Sequence, residues 1–305
     1  MGVYHIGEVI RRSRESLGMT QEQLAEGICT PETLSRIENG KRTPNRANFR
    51  ALMERLEKCG EKYFPYIRVG DYARMEMWQK ILRMDRAHRF EEVLAELEEF
   101  EEALDLDDYV NRQAVMRMRA LCNYNLGKIS AKRSREMLAE ALKLTVPSWD
   151  GRTVPEGVFT RTECALFCNI AVSYMNEGRL DEALDLMRQM QQYFRTTRID
   201  ERERRYSEGL LMSNLARCLG RKGETKEALE IAREETEKYL KFDMADRLHG
   251  SLYNMAYQME VQHKSPEACK EKLVQAYYVA EFTGDGRERD HIRKHYEERY
   301  GELSI

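Results

Sequence analysis

Proline is scarce in this chain, six residues in 305, so little in it breaks long helices by removing a backbone donor. No apolar run approaches the roughly 18 residues that a membrane span requires. The N-terminus, MGVYHIGEVIRRSRES, lacks the apolar core and cleavage site of a signal peptide. These absences lead us to expect a cytoplasmic protein with no membrane partner. The seven cysteines are odd in number and contain no Cys-x-x-Cys, which argues for reduced thiols in a reducing compartment. Cys164 and Cys168 stand four apart on an expected helix without a histidine nearby, so they read as small buried apolar side chains rather than metal ligands. There is no HExxH, P-loop, G-x-S-x-G or Cys/His constellation. The expectation is a non-enzyme with no cofactor and no metal.

What is present is charge and helical periodicity. Charged residues make up 34% and hydrophobic ones 42%, a composition suited to a helix-rich chain. The net charge of −3 is unevenly spread: residues 1–60 hold ten Lys+Arg against eight Glu, so +2, and the remainder carries −5. Between Arg36 and Arg50 five basic residues face only Glu38. A small basic module precedes an acidic body.

Ile6, Val9, Ile10 and Leu17 recur at helical spacing, and Gly18 stops that helix. Thr20 and Gln23 form a capping box that starts a second helix with Leu24, Ala25 and Ile28 inside. Thr30 caps a third helix opened by Pro31, with Leu34 and Ile37 inward and Asn39-Gly40 at its end. A fourth covers about 46–56. The stretch TQEQLAEGICTPETLSRIENGKRTP resembles the DNA-binding helix-turn-helix domain of the phage-repressor (Cro/CI, or XRE) family, over about residues 5–58.

In that arrangement Gln21 sits at a helix start, where its amide and backbone N–H groups would hold a phosphate. Thr30, Glu32, Thr33 and Arg36 lie on or at the solvent side of the third helix and would face base edges in the major groove. Asn39, Lys41 and Arg42 would track the backbone of the double-stranded operator. The resemblance further implies an internal ion pair between Arg14 and Glu38, and binding as a homodimer on two half-sites. Two positions depart from the family: Cys29 takes a turn position usually given to Gly-Val, and Pro31 occupies one that often carries a base-reading side chain.

Beyond residue 72 the chain repeats. Glu182-Ala183, Glu227-Ala228 and Glu267-Ala268 are separated by 45 and 40 residues, and Ala171, Ala216 and Ala256 each stand twelve before the paired alanine. Gly178 and Gly223 mark turns within helix pairs. Small residues at these points let two helices approach closely. Weaker copies end their first helices at Asn123–Gly127, with Ala120 at the small position, and at Arg89–Glu92. The longest insertion is WDGRTVPEGVF, from Trp149. The pattern resembles tetratricopeptide repeats, which implies about five helix pairs in a right-handed superhelical array. The charged segment from Gly286 would cap it; its His291 and His295 lie among arginines that disfavour a metal.

In tetratricopeptide repeats the first helix of each pair lines the concave surface. Two residues before the small position stand Asn169, Asn214 and Asn254, in register. A side-chain amide complements a peptide backbone unit, so the three would form a ladder for an extended peptide. Arg217, Tyr253 and Tyr257 would share the groove, with Arg117 and Met118 from the second repeat. The alternative is that the asparagines bond neighbouring helices within the array.

The whole layout resembles the peptide-responsive Rgg/PlcR/PrgX/NprR (RRNPP) regulators. It implies an all-α homodimeric transcription regulator with a DNA-binding domain at 1–58, a linker at 59–71, repeats at 72–285 and a capping helix at 286–305. Its ligand would be a short signalling peptide, as in quorum sensing. Gly60, Pro65 and Gly70 mark the joint, and Cys59 beside it reads as an ordinary thiol. A second hypothesis gives the repeats a protein partner, or dimerisation alone, with no peptide.

Overall fold

The computed structural model describes residues 6–56, 72–104, 108–147, 149–155, 159–197, 201–242 and 244–303. The expected joint with Cys59, Gly60, Pro65 and Gly70 lies outside the described residues. Among the described residues there are helices and no strand. None of those helices is long and apolar enough to cross a membrane.

The first four helices are α1 (Ile6–Ser16), α2 (Gln21–Ala25), α3 (Pro31–Glu38) and α4 (Arg46–Arg55). Local chemistry sets their ends. Gly18, at φ +66°, terminates the α1 segment in the left-handed region. The Thr20 hydroxyl accepts from Gln23 N at 3.2 Å while Gln23 Oε1 accepts from Thr20 N at 2.8 Å, the reciprocal capping box. Thr30 accepts from Thr33 N at 3.1 Å with Pro31 behind it, and Asn45 accepts from Asn48 N at 2.8 Å.

Ile10, Leu24, Ala25, Leu34, Ile37, Phe49, Leu52, Met53 and Leu56 close one core, with Ile28 and Cys29 packed at its edge. Leu17 does not join them. It is 48% exposed because α1 ends at Ser16, one residue before it. The crossing of α1 over the end of α3 is tight: a Cβ at Gly7 would stand 2.2 Å from the Ile37 carbonyl oxygen.

Among the described residues five helix pairs and a final helix follow: α5 (Tyr72–Arg86), α6 (Phe90–Glu102), α7 (Tyr109–Asn125), α8 (Ala131–Lys143), α9 (Arg161–Asn176), α10 (Leu180–Thr196), α11 (Glu201–Lys222), α12 (Thr225–Lys241), α13 (Ala245–Val261), α14 (Pro266–Thr283) and α15 (Gly286–Tyr300). The turns inside pairs use a left-handed residue. Gly127, Gly178 and Gly223 supply it in the middle three, while His88 (φ 55°) and His263 (φ 53°) do so in the first and last. His88 and His263 adopt that conformation despite a cost of about 1–2 kcal/mol for a non-glycine residue, so those two turns carry no glycine signal in the sequence. Ala120, Ala171, Ala216 and Ala256 are all fully buried, as close helix approach requires.

The chain forms two compact units, Met1–Leu166 with Thr197–Arg204, and Phe167–Thr196 with Arg205–Ile305. In the first, Ile81, Met84, Phe90, Val93, Leu97, Phe100, Val115, Met118 and Cys122 make the core of α5–α7. In the second, Leu252, Ala256, Leu273, Ala276, Tyr277, Ala280 and Ile292 join α13, α14 and α15.

Candidate functional site

The front module presents one charged face. Glu32, Arg36, Lys41 and Arg42 are exposed, opposite buried Leu34 and Ile37. Among the described residues the Arg36 side chain has no hydrogen-bond or ion-pair partner, while its carbonyl accepts from Lys41 N at 2.8 Å and Arg42 N at 3.2 Å, which fixes the start of the loop after α3. Thr30 and Thr33 share a hydroxyl hydrogen bond at 2.9 Å.

Behind that face, Arg14 Nε and Nη2 donate to the two oxygens of Glu38 at 2.7 and 3.0 Å. The Glu38 hydrogen bond and charge raise the Arg14 pKa against the opposing effect of burial. Two expected phosphate contacts differ in their side chains. Gln21 Nε2 donates inward to Glu38 Oε2 at 2.7 Å, because a buried carboxylate outcompetes water for an adjacent amide. Asn39 Nδ2 folds back onto the Ser35 carbonyl at 2.8 Å, closing the end of α3 rather than reaching outward.

The residues expected to line a groove in the second unit lie on α9, α11 and α13. Asn254 Nδ2 donates to Ser213 Oγ of α11 at 3.3 Å, so Asn254 stands beside the Asn214 level. Asn214 is only 8% exposed; its Nδ2 donates to the Leu210 carbonyl at 2.8 Å and its Oδ1 accepts from Arg217 at 2.8 Å. The Asn214 and Asn254 amides therefore already use part of their hydrogen-bonding capacity inside the array. Asn169 is half-buried on α9.

Tyr257 is 44% exposed and Arg217 is exposed. Tyr253 is tied at its hydroxyl: His291 Nε2 lies 3.1 Å away and His295 Nδ1 2.9 Å, and His295 Nε2 reaches Glu260 at 3.0 Å. Burial, and then Glu260, push the Tyr253 phenol up to about 12. Helix α15 thus covers the polar end of that tyrosine, a contact between distant segments that periodicity does not foretell.

In the first unit, Met118 is 2% exposed in the core of α5–α7, so it packs helices and does not line a groove. An apolar side chain in a tightly packed repeat gains more from burial than from exposure. Arg117 is half-buried, and its charge partly offsets the rise that burial imposes on Asp85.

A polar cluster that the sequence does not single out lies among α11, α12 and α13. Glu235 is 1% exposed, and its Oε1 accepts from the Tyr239 hydroxyl at 2.7 Å. Burial pushes this carboxyl up to about 8 against the lowering pull of Tyr239, Arg247, Lys238 and Ser213. Thr236 and Ser251 pair at 2.9 Å nearby. Glutamate inside helix 225–241 reads in sequence as one more solvated charge, so only the fold discloses it.

A helix-turn-helix family model (HTH_3) matches residues 10–64. The front of the chain is therefore a helix-turn-helix domain. No curated protein matches the chain. Among solved structures it is similar to Bacillus thuringiensis PlcR in complex with the peptide PapR7 and DNA, at 16% identity and a TM-score of 0.65, over 94% of this chain and 98% of that one. It is also similar to ComR from S. thermophilus in complex with DNA and its signalling peptide ComS, at 16% identity and a TM-score of 0.52, over 95% and 98% of the two chains. The apo form of ComR from Streptococcus vestibularis matches at 14% identity and a TM-score of 0.51, over 95% and 96%. The chain has the all-α fold of these regulators, a helix-turn-helix followed by repeated helix pairs.

Proposed function

We propose that this protein is a cytoplasmic transcription regulator that binds operator DNA as a homodimer and takes a short signalling peptide in the groove lined by α9, α11 and α13. The observation that carries this reading is the register of Asn169, Asn214 and Asn254 on three successive first helices, in a fold shared end to end with proteins solved with peptide and DNA. Spaced amides suit an extended backbone of any sequence, and Tyr257 offers an aromatic surface for a side chain. The exposed Arg36 supplies the base-reading group of the front module.

A reading without a peptide draws on two features. The Asn214 and Asn254 amides are partly engaged, and α13 and α14 carry an exposed apolar cleft of about 440 Å³ lined by Ala245, Leu248, Tyr278, Val279 and Phe282, with Phe282 90% exposed. That surface suits a protein partner or a second copy.

Native mass spectrometry separates the two. The intact protein is mixed with short apolar peptides encoded beside its gene, with Asn254→Ala and Tyr257→Ala in parallel. A stoichiometric adduct on the dimer, weakened in both variants, is expected. A well-folded dimer that retains no peptide would favour the partner reading.

A further inference from the structure

Asn254, Ser213, Glu235 and Tyr239 form a line of polar groups running from the groove into the space between α11, α12 and α13. Asn254 Nδ2 donates to Ser213 Oγ at 3.3 Å, a long bond. Ser213 still has its own hydrogen to place. Glu235 lies behind it: Oε1 is taken by Tyr239, and Oε2 is buried with no hydrogen-bond partner among the described residues. The Ser213 hydroxyl is near enough to favour the charged form of Glu235 without a formed bond to Oε2. A buried carboxyl oxygen left unmatched costs free energy, so this end of the line is poised to recruit Ser213.

The inner end is rigid. A Cβ at Gly209 of α11 would stand 2.8 Å from the Tyr239 hydroxyl, so the helix backbone closes over that phenol. Thr236 is committed to the Ala232 carbonyl and to Ser251. The charged groups around Glu235 are Arg247 from α13 and Lys238 from α12, and Lys238 is shared with Glu208 of α11 at 2.8 Å and Glu234 of α12 at 3.0 Å. Ser213 is therefore the adjustable member of the line.

We propose that Glu235 is a positioning residue for the groove, setting through Ser213 whether the Asn254 NH2 is tied inward or turned toward a ligand. When Glu235 is ionised, Ser213 donates to it and becomes a better acceptor, since hydrogen bonds in a chain polarise one another; Asn254 is then held as the structure has it. When Glu235 takes a proton from solvent, its O–H donates to Ser213 Oγ. The Ser213 hydrogen turns to the Asn254 oxygen, and the NH2 of Asn254 faces the groove. The consequence for a peptide carbonyl rests on the groove reading given above. The positioning itself does not.

The test needs no peptide. The full chain is labelled with carbon-13 asparagine, and the side-chain carbonyl signals are followed by carbon-detected NMR from pH 6 to 9.5, with Asn254→Ala used only to assign one signal. The Asn254 signal is expected to move with a midpoint near about 8, while Asn169 stays still. Glu235→Gln, whose NH2 donates as the acid does, should hold Asn254 at its low-pH position throughout. Ser213→Ala should abolish the movement while the Glu235 carboxyl, followed with carbon-13 glutamate, still titrates. An Asn254 signal that is flat in the wild type, or that moves equally in Glu235→Gln or Ser213→Ala, would overturn the proposal. Either result leaves the peptide experiment to be decided separately.

Discussion

Arg14 and Glu38 meet through two hydrogen bonds at 2.7 and 3.0 Å, with the Glu38 side chain 1% exposed and Arg14 Nη1 also donating to the Met19 carbonyl at 2.9 Å. The pair joins α1 to α3, and Gln21 adds α2 to it. Removing one member leaves a buried charge unmatched. Glu38→Ala should therefore destabilise the front domain by about 3–5 kcal/mol, read as lost amide-exchange protection in α1 and α3. A loss confined to α2 would show that the Arg14 contact matters less than the Gln21 one.

Two helical glycines should respond to alanine with opposite signs. At Gly7 a new Cβ meets the Ile37 carbonyl at 2.2 Å, whereas at Gly250 it meets nothing within 4 Å. Gly250→Ala should gain about 0.5–1 kcal/mol from helix propensity. Gly7→Ala should lose stability in spite of that gain, because backbone rather than a flexible side chain must move. Thermal melts of the two variants against the wild type make the comparison.

Arg36 is exposed with no side-chain partner among the described residues, so Arg36→Ala should leave the melting temperature unchanged. In a binding selection against random duplexes it should relax preference at one base position, by about 1–3 kcal/mol. Lys41→Ala and Arg42→Ala should instead weaken binding to all sequences and each lower the salt slope by about one. Uniform weakening by Arg36→Ala would assign it to the phosphate backbone.

Glu235 makes stability fall as pH rises. Its carboxyl is pushed up to about 8 by burial, while an unfolded chain ionises it near about 4.3. The folded state binds the proton more tightly, so this contribution is whole below the unfolded value, shrinks between the two, and is gone above the folded one. The melting temperature should decline from pH 5 to 9, and Glu235→Gln should remove part of that decline, with the gap between the two proteins widest at pH 9. Parallel curves would assign the decline to other groups.

The order of helices and the kind of front domain are determined by short-range chemistry, and were therefore legible in the sequence. Thr20 with Gln23, Thr30 with Pro31, and the left-handed glycines Gly18, Gly178 and Gly223 act within a few residues of themselves, which is the range over which a sequence pattern speaks. Buried Ala171, Ala216 and Ala256 likewise announce close helix contacts through their spacing alone. Tertiary structure alone decided which polar groups are spent. Gln21 is claimed by Glu38, Tyr253 by His291 and His295, Met118 by a core, and Asn254 by a serine of another helix that has Glu235 behind it. The partners of Gln21, Tyr253 and Asn254 lie 17 or more residues away, and so does most of the core around Met118. Whether an amide or a carboxyl faces solvent, a ligand or a neighbour depends on which helices come together. That is settled by burial of apolar faces, which periodicity places on one side of a helix without naming what will cover it.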